Sequence, residues 1–272
     1  MRPTRTAVAV LAFAALSGAR ADVYCNATIG AIPDGTGAGV TRTFTVPAPA
    51  APQVVTGVEV DLVVSHPWVG DLRAVLTAPW GTQVVLLDRP GIPSSGWPGP
   101  WGCGFDDVNC RFTDAGSAPA ESACAAGSAA LSGWLKPLQP LAVLAAVPGH
   151  APQGTWTLVV SDASTIDAGS IQSACLRLTT APDCNLNGRA DAVDIAQGGS
   201  EDANGDGVPD ECQCVADLNG SGTVDGADLA VVLAQWGAGG QSIADLNHDG
   251  TVNGADLGVL VASWGPCGGA AQ

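Results

Sequence analysis

The sequence predicts a mainly β fold that ends in a small α-helical module, and three observations carry that prediction. Residues 22–182 are built of short Val, Thr and Leu runs broken by frequent Gly and Pro, with almost no helical periodicity. One acidic twelve-residue segment then occurs twice, twenty-eight residues apart, and each copy is followed by apolar residues at helical spacing. Between these parts, residues 183–213 are polar, Gly-rich and dense in Asp and Asn.

The first element is a leader. Arg2 and Arg5 precede an apolar run from Ala7 to Leu16, and Ala19-Arg20-Ala21 reads as a cleavage site. The run is too short to cross a bilayer, so residues 1–21 read as a secretory signal peptide. A secreted protein, extracellular or periplasmic, is expected, with no membrane span. Nine cysteines in an exported chain favour disulfides. Proximity in the sequence suggests Cys103–Cys110, Cys184–Cys212 and Cys214–Cys267. Cys25, Cys124 and Cys175 remain, so at least one thiol is left over.

The formal charge is −16. Residues 183–272 hold fourteen acids and a single base, Arg189, whereas residues 22–182 hold twelve acids and six bases. Such a surface repels nucleic acid and anionic membranes, and it suits divalent cations.

Residues 22–182 are long enough for one domain with its own core. Val58, Val60, Leu62 and Val64 alternate with more polar neighbours, as in a half-buried strand, and Trp156, Leu158 and Val160 alternate with Thr155, Thr157 and Val159 in a second. Leu72 to Leu76 and Val84 to Leu87 bracket Pro79-Trp80-Gly81-Thr82, as a hairpin would. Motifs accumulate around these runs: Ile32-Pro33-Asp34, His66, Gly70-Asp71-Leu72, Ala78-Pro79, Gly81-Thr82, Phe112-Thr113-Asp114, and Gly154 to Asp162 followed by Asp167 and Gly169. Over about 28–180 the chain resembles the P domain (P/Homo B domain) of proprotein convertases. The resemblance implies a jelly-roll-like β-sandwich that serves as an accessory to a subtilisin-like protease domain. Ala174-Cys175 stands where that family usually places a tryptophan.

Residues 183–213 contain two acidic loops. Asp183, Asn185, Asn187, Gly188, Asp191 and Asp194 fall at positions 1, 3, 5, 6, 9 and 12 of the first. Asp202, Asn204, Asp206, Gly207 and Asp210 fall at positions 1, 3, 5, 6 and 9 of the second, which ends in Gln213. This stretch is similar to a thrombospondin type 3 repeat, which implies a spacer wrapped around Ca²⁺; an unstructured acidic linker is the alternative.

Residues 214–267 hold the repeated pair. Asp217, Asn219, Ser221, Thr223, Asp225 and Asp228 occupy positions 1, 3, 5, 7, 9 and 12 of one loop, and Asp245, Asn247, Asp249, Thr251, Asn253 and Asp256 those of the other. Glycine stands at position 6 of each. This is the spacing of an EF-type Ca²⁺ loop, in which oxygen ligands point inward, the position 7 carbonyl contributes, and glycine makes the sharp turn. Ordinary Asx turns are the alternative. Ser221 is a weaker ligand than Asp249, so the first loop is expected to bind more weakly. Leu229, Val232, Leu233 and Trp236, and again Leu257, Leu260, Val261 and Trp264, make apolar stripes that predict two facing helices, with Gly237 and Gly265 as stops. The segment resembles a type I dockerin, which implies calcium binding and docking onto a cohesin-like or cell-surface protein. Gly226-Ala227 and Gly254-Ala255 replace the family's usual hydroxyl pair and the helices lack basic residues, so the resemblance carries calcium further than cohesin. Residues 268–272 are a tail.

No hydrolytic machinery is legible. The three histidines are His66 in the P-domain-like motif, His150 in a Gly-Ala-Pro loop and His248 inside an acidic loop, and no Gly-x-Ser-x-Gly elbow is present. Asp71, Asp114, Asp162 and Asp167 either form a further Ca²⁺ site or cap turns. Trp80, Trp97, Trp101 and Trp134, mostly in Gly/Pro-rich loops, either line a ligand surface or plug the ends of the sandwich. The expectation is an exported, non-catalytic, modular calcium-binding protein for adhesion or assembly. The alternative is an accessory component of an exported hydrolase system, either subtilisin-like proteolysis or polysaccharide degradation.

Overall fold

Apolar residues at every second position decide most of this architecture. The computed structural model describes residues 21–91, 102–127, 129–202, 205, 207–219, 221–239, 242–247 and 249–266. The strands of its N-terminal part are β1 (Ala21–Asn26), β2 (Gly30–Ile32), β3 (Val40–Val46), β4 (Gln53–Ser65), β5 (Leu72–Thr77), β6 (Gln83–Asp88), β7 (Val108–Phe112), β8 (Ala118–Pro119), β9 (Leu131–Lys136), β10 (Gly154–Asp162) and β11 (Gly169–Pro182). Then come α1 (Asp191–Gln197), β12 (Thr223–Val224), α2 (Gly226–Ala234), α3 (Gly254–Ala262) and β13 (Gly265–Pro266). The predicted leader, apart from Ala21 at the start of β1, lies outside the described residues.

Two sheets form the sandwich. One runs β1-β11-β4-β7-β9-β8, with β2 also on β11, and the other runs β3-β10-β5-β6. On β4, Val58, Val60, Leu62 and Val64 are buried while Glu59, Asp61 and Val63 face outward; on β10, Trp156, Leu158 and Val160 are buried. Leu62, Phe112 and Leu176 of the first sheet close on Leu76, Leu86 and Trp156 of the second in one core. Trp156 is fully buried, and its indole Nε1 donates to the Pro152 carbonyl at 3.0 Å. Truncating such a side chain costs about 3–5 kcal/mol. β5 and β6 form the expected hairpin, with Ala78 N–H donating to the Thr82 carbonyl at 2.9 Å and Gly81 at φ +88°.

The disulfides only partly follow sequence proximity. Cys184–Cys212 forms as expected, and Cys214 is disulfide-bonded, its expected partner Cys267 lying outside the described residues. Cys103 pairs with Cys124, not Cys110, and Cys25 joins β1 to Cys175 on β11 with a Cα–Cα distance of 4.0 Å. Cys110 sits in the middle of β7 opposite Leu62, its thiol inside the core, and has no partner. Strand pairing, not closeness in sequence, chose its neighbours. Burial pushes that thiol up to about 12.

The C-terminal module is built by its repeat. Its buried core comprises Ala216 and Ala244, Val224 and Val252, Val232 and Leu260, each pair twenty-eight residues apart, together with Leu246. The repeats exchange strands: Val224 pairs with Gly265, while Gly237 N–H donates to the Val252 carbonyl at 2.8 Å. The expected apolar stripes are not buried whole. α2 ends at Ala234 and α3 at Ala262, so Trp236 and Trp264 lie beyond the helix caps, and both remain half-exposed, as do Leu233 and Val261. A helix packed against so small a core buries one narrow line of residues, and Val232 and Leu260 occupy it.

Candidate metal centre

Three acidic loops, 183–194, 217–228 and 245–256, share one set of local hydrogen bonds. The position 1 carboxylate accepts from the backbone N–H groups of positions 5 and 6. Asp183 accepts from Asn187 and Gly188 (3.2 and 3.0 Å), Asp217 from Ser221 and Gly222 (3.0 and 2.7 Å), and Asp245 from Asp249 and Gly250 (3.2 and 2.9 Å). The position 3 oxygen, of Asn185, Asn219 or Asn247, accepts from position 5 N–H at 3.1, 2.9 and 3.0 Å. Asn187, Ser221 and Asp249 at position 5 accept in turn from the N–H of Arg189, Thr223 and Thr251. Position 6 requires glycine for backbone reasons, with φ at +86°, +83° and +89°.

The helices that follow complete the two C-terminal loops. Asp225 and Asn253 are N-caps, accepting from Ala227 and Ala255 N–H at 2.7 and 2.8 Å. Asp228 and Asp256 reach back from the first helical turn. Asp228 accepts from Asp225 N–H (2.9 Å) and Asn219 N–H (3.2 Å), and Asp256 from Leu246, Asn247 and Asn253 N–H. In the first loop position 9 lies inside α1: Asp191 accepts from Cys184 N–H at 2.9 Å, and Asp194 accepts from Asn187 Nδ2 at 2.7 Å and lies 3.5 Å from Arg189 Nε. That loop leans on the sandwich, with Gly149 N–H donating to the Leu186 carbonyl and Asp183 N–H to the Pro52 carbonyl.

In the second spacer loop Asp202 accepts from Gly205 and Gly207 N–H at 2.8 and 3.0 Å. Asp210 opens a 3₁₀ turn, Asp210–Cys212. Asn204 and Asp206 lie outside the described residues. The Cys184–Cys212 disulfide holds the two spacer loops together, and Asn185 Nδ2 donates to Glu211 at 3.3 Å. Asp191 lies beside those two sulfurs, which as a disulfide offer no thiolate.

The electrostatics are one-sided. Asp183, Asp191, Asp194, Asp228, Asp245 and Asp256 are all buried, and no Lys or Arg follows Arg189. Backbone N–H groups, that of Asp225 foremost, hold Asp228 below the usual carboxylate range. Asn247 Nδ2, then Thr251 N–H, hold Asp249 down likewise. Burial, followed by Asp183 and Asp194, pushes Asp191 up. Buried carboxylates are costly unless hydrogen-bonded or paired, and here backbone N–H groups supply hydrogen bonds. A hard cation with six to eight oxygen ligands matches this all-oxygen donor set.

Of the other acidic candidates, Asp162 and Asp167 lie within electrostatic reach of Asp71, and Asp114 caps a turn elsewhere. Asp114 accepts from Leu141 and Ala142 N–H at 2.9 and 2.8 Å, capping a turn. Asp162 accepts from Ser164 N–H and lies 3.1 Å from His66 Nε2, both side chains wholly buried. His66 Nδ1 accepts from Trp68 N–H, so Nε2 carries the proton toward Asp162 and neither nitrogen is free. Burial and then Asp162 push Asp71 up. Trp80 plugs one end of the sandwich, its ring 5.2 Å from both His150 and Trp156. Trp134, one of the four tryptophans expected mostly in loops, stands on β9 with its ring against Arg111. Trp97, Trp101 and His248 lie outside the described residues. The backbone-gathering role of Asp228 and Asp256 and the Asp61–Arg111 pair were missed from sequence; the period-two placement of Glu59 and Asp61 was the available signal for the pair.

The family model of the proprotein convertase P-domain matches residues 55–96, which take in β5, β6 and all but the first two residues of β4. No curated protein matches the chain. Two solved structures are similar to it: the Aeromonas sobria serine protease in complex with its chaperone ORF2, and the serine protease of Aeromonas sobria. Each is 17% identical, with TM-scores of 0.36 and 0.35, covering 60% and 58% of this chain. This chain covers 26% of each of those chains.

Proposed function

We propose that this is an exported, non-catalytic modular protein whose acidic loops bind Ca²⁺, and whose C-terminal EF-like pair acts as a dockerin-like module for adhesion or assembly. One observation carries the reading: three loops use the same hydrogen bonds to aim buried carboxylates inward without a base in the C-terminal pair. In this reading the position 1, 3, 5, 9 and 12 side chains and the carbonyls of Thr223 and Thr251 hold the ions. The spacer is stiffened by the ion in its 183–194 loop and by the Cys184–Cys212 bridge. Extracellular calcium modules bind with Kd of roughly 10⁻⁴ to 10⁻³ M. Calorimetric titration of the mature chain tests it: uptake of at least three Ca²⁺ per chain is expected, and uptake of none at millimolar calcium refutes it.

A second reading is favoured by the family match at 55–96. The sandwich would then be an accessory part of an exported hydrolase system, proteolytic or polysaccharide-degrading. Affinity capture of exported proteins in calcium and in chelator separates the two readings. Recovery of a hydrolase supports the second, and recovery of a surface protein the first.

A further inference from the structure

The outward face of the larger sheet carries a closed charge network beside one exposed ring. Asp61 Oδ1 accepts from Arg111 Nε at 2.6 Å; Oδ2 accepts from Arg177 Nε at 2.7 Å and from Arg111 Nη2 at 3.3 Å. Glu59 Oε2 lies 3.5 Å from Arg111 Nη1. Strand register builds the group, since Asp61 stands opposite Arg111 on β7, Arg111 opposite Trp134 on β9, and Glu59 opposite Arg177 on β11. The Arg111 guanidinium lies 5.2 Å from the Trp134 ring centroid, yet Trp134 remains 58% exposed. A tryptophan held against a fixed guanidinium on a sheet face, with so much of its surface left to water, is a preformed platform.

Charge and apolar area select the occupant. Two acids and two bases make this network formally neutral on a chain of charge −16, with Lys136 exposed two residues along β9 from Trp134, so the network itself favours neither an anionic nor a cationic partner. Among the described residues of this face the exposed large apolar side chains are Trp134 on β9 and, away from it, Val23 on β1 opposite Arg177. A protein interface draws on a desolvated apolar centre of several residues, which this face lacks. A sugar ring needs less: one aromatic surface for its C–H face, and rigid carboxylate and guanidinium groups around it for its hydroxyls. We propose that this face binds a neutral pyranose unit of a glycan. Trp134 stacks on the ring, and Glu59, Arg111 and Arg177 hydrogen-bond its hydroxyls. The inference is independent of the calcium reading.

The test is calorimetric titration of the full mature chain, kept in calcium, with cellohexaose, mannohexaose and chitohexaose, and with hexagalacturonate as an anionic control. At least one neutral hexasaccharide is expected to bind, and Trp134→Ala is expected to weaken it by about tenfold or more with the thermal unfolding of the sandwich unchanged. Should Trp134→Ala fail to fold, Glu59→Gln serves instead, since it leaves the Asp61 bonds in place; a several-fold loss is then expected. No binding of any neutral probe overturns the proposal. So do binding that survives both substitutions, preference for hexagalacturonate, and capture of a protein through Trp134 with no glycan bound.

Discussion

Asp245→Ala and Ser221→Ala separate a loop built around a cation from a pair of ordinary turns. Asp245 is buried at position 1 of the last loop, and its two oxygens accept from Asp249 and Gly250 N–H at 3.2 and 2.9 Å. Removing it deletes two charge-assisted hydrogen bonds worth roughly 1.5 kcal/mol each, about 3 kcal/mol together, before any ligand bond is counted. That corresponds to about a hundredfold loss in the calcium affinity of that loop. Ser221 is exposed; its Oγ accepts from Thr223 N–H at a long 3.3 Å and donates to the Thr223 carbonyl at 3.0 Å. The bonds from its own N–H to Asp217 and Asn219 survive the change to alanine, so the loss is about 0.5–1 kcal/mol, a two- to five-fold effect. Calorimetric Ca²⁺ titration of both variants is the assay, with far-ultraviolet circular dichroism to follow α2 and α3. Equal weakening by the two substitutions, or none by Asp245→Ala, would refute the reasoning.

Three further outcomes are expected. In calorimetric scans, chelator should lower the transition of the C-terminal module and leave that of the sandwich in place; calcium tenfold above Kd stabilises by about 1.4 kcal/mol per site. Asp61 is pushed up by burial but held below the usual carboxylate range by Arg111 and Arg177. Its contribution is therefore present above its unfolded value, near 3.9, and lost as pH falls through the lower folded value. Thermal scans against pH should show the wild-type sandwich losing stability below about pH 4 and Asp61→Asn already about 1 kcal/mol less stable at pH 7, a modest figure because the network is partly exposed. Cys110, with its thiol in the core and pushed up to about 12, should resist thiol reagent at pH 8 in the folded protein and react on denaturation.

What was legible in the sequence was what local rules determine. The β4 and β10 alternation, the β5–β6 hairpin and the loop glycines each follow from a period or a backbone angle that a single segment reveals. What was not legible depends on distant partners. Cys103 meets Cys124 because the loop before β7 folds onto the 3₁₀ turn Ala120–Ser122, a placement set by the whole sheet. The helical stripes were read too wide, because seven-residue spacing shows which residues are apolar and not how much core exists to receive them. Trp134 was grouped with tryptophans mostly in Gly/Pro-rich loops, yet it stands on β9, which pairs in parallel with β7 through that stretch. The repeated acidic loops were legible from spacing alone; that Asp228 and Asp256 draw in backbone N–H groups across nine or ten residues was not.

The small core of the C-terminal module bears on how calcium would act there. Among the described residues its seven buried apolar side chains are two alanines, three valines and two leucines, with no aromatic side chain. Both tryptophans that would have enlarged it stay half in water. Domains of this size usually need a disulfide, a metal or a partner to outweigh the conformational entropy of ordering the chain. The carboxylates make the demand sharper, because Asp228, Asp245 and Asp256 are buried in a segment without a single lysine or arginine. Burial opposes their charged form and backbone N–H groups offset it, as at Asp228; on the calcium reading an ion held among them would favour folding further. On the calcium reading proposed above, folding of the module and uptake of the ion are then one equilibrium, and its helices report calcium directly. A module equally helical after complete removal of divalent ions would mean that backbone N–H groups alone suffice for these carboxylates, and the loops would then be turns.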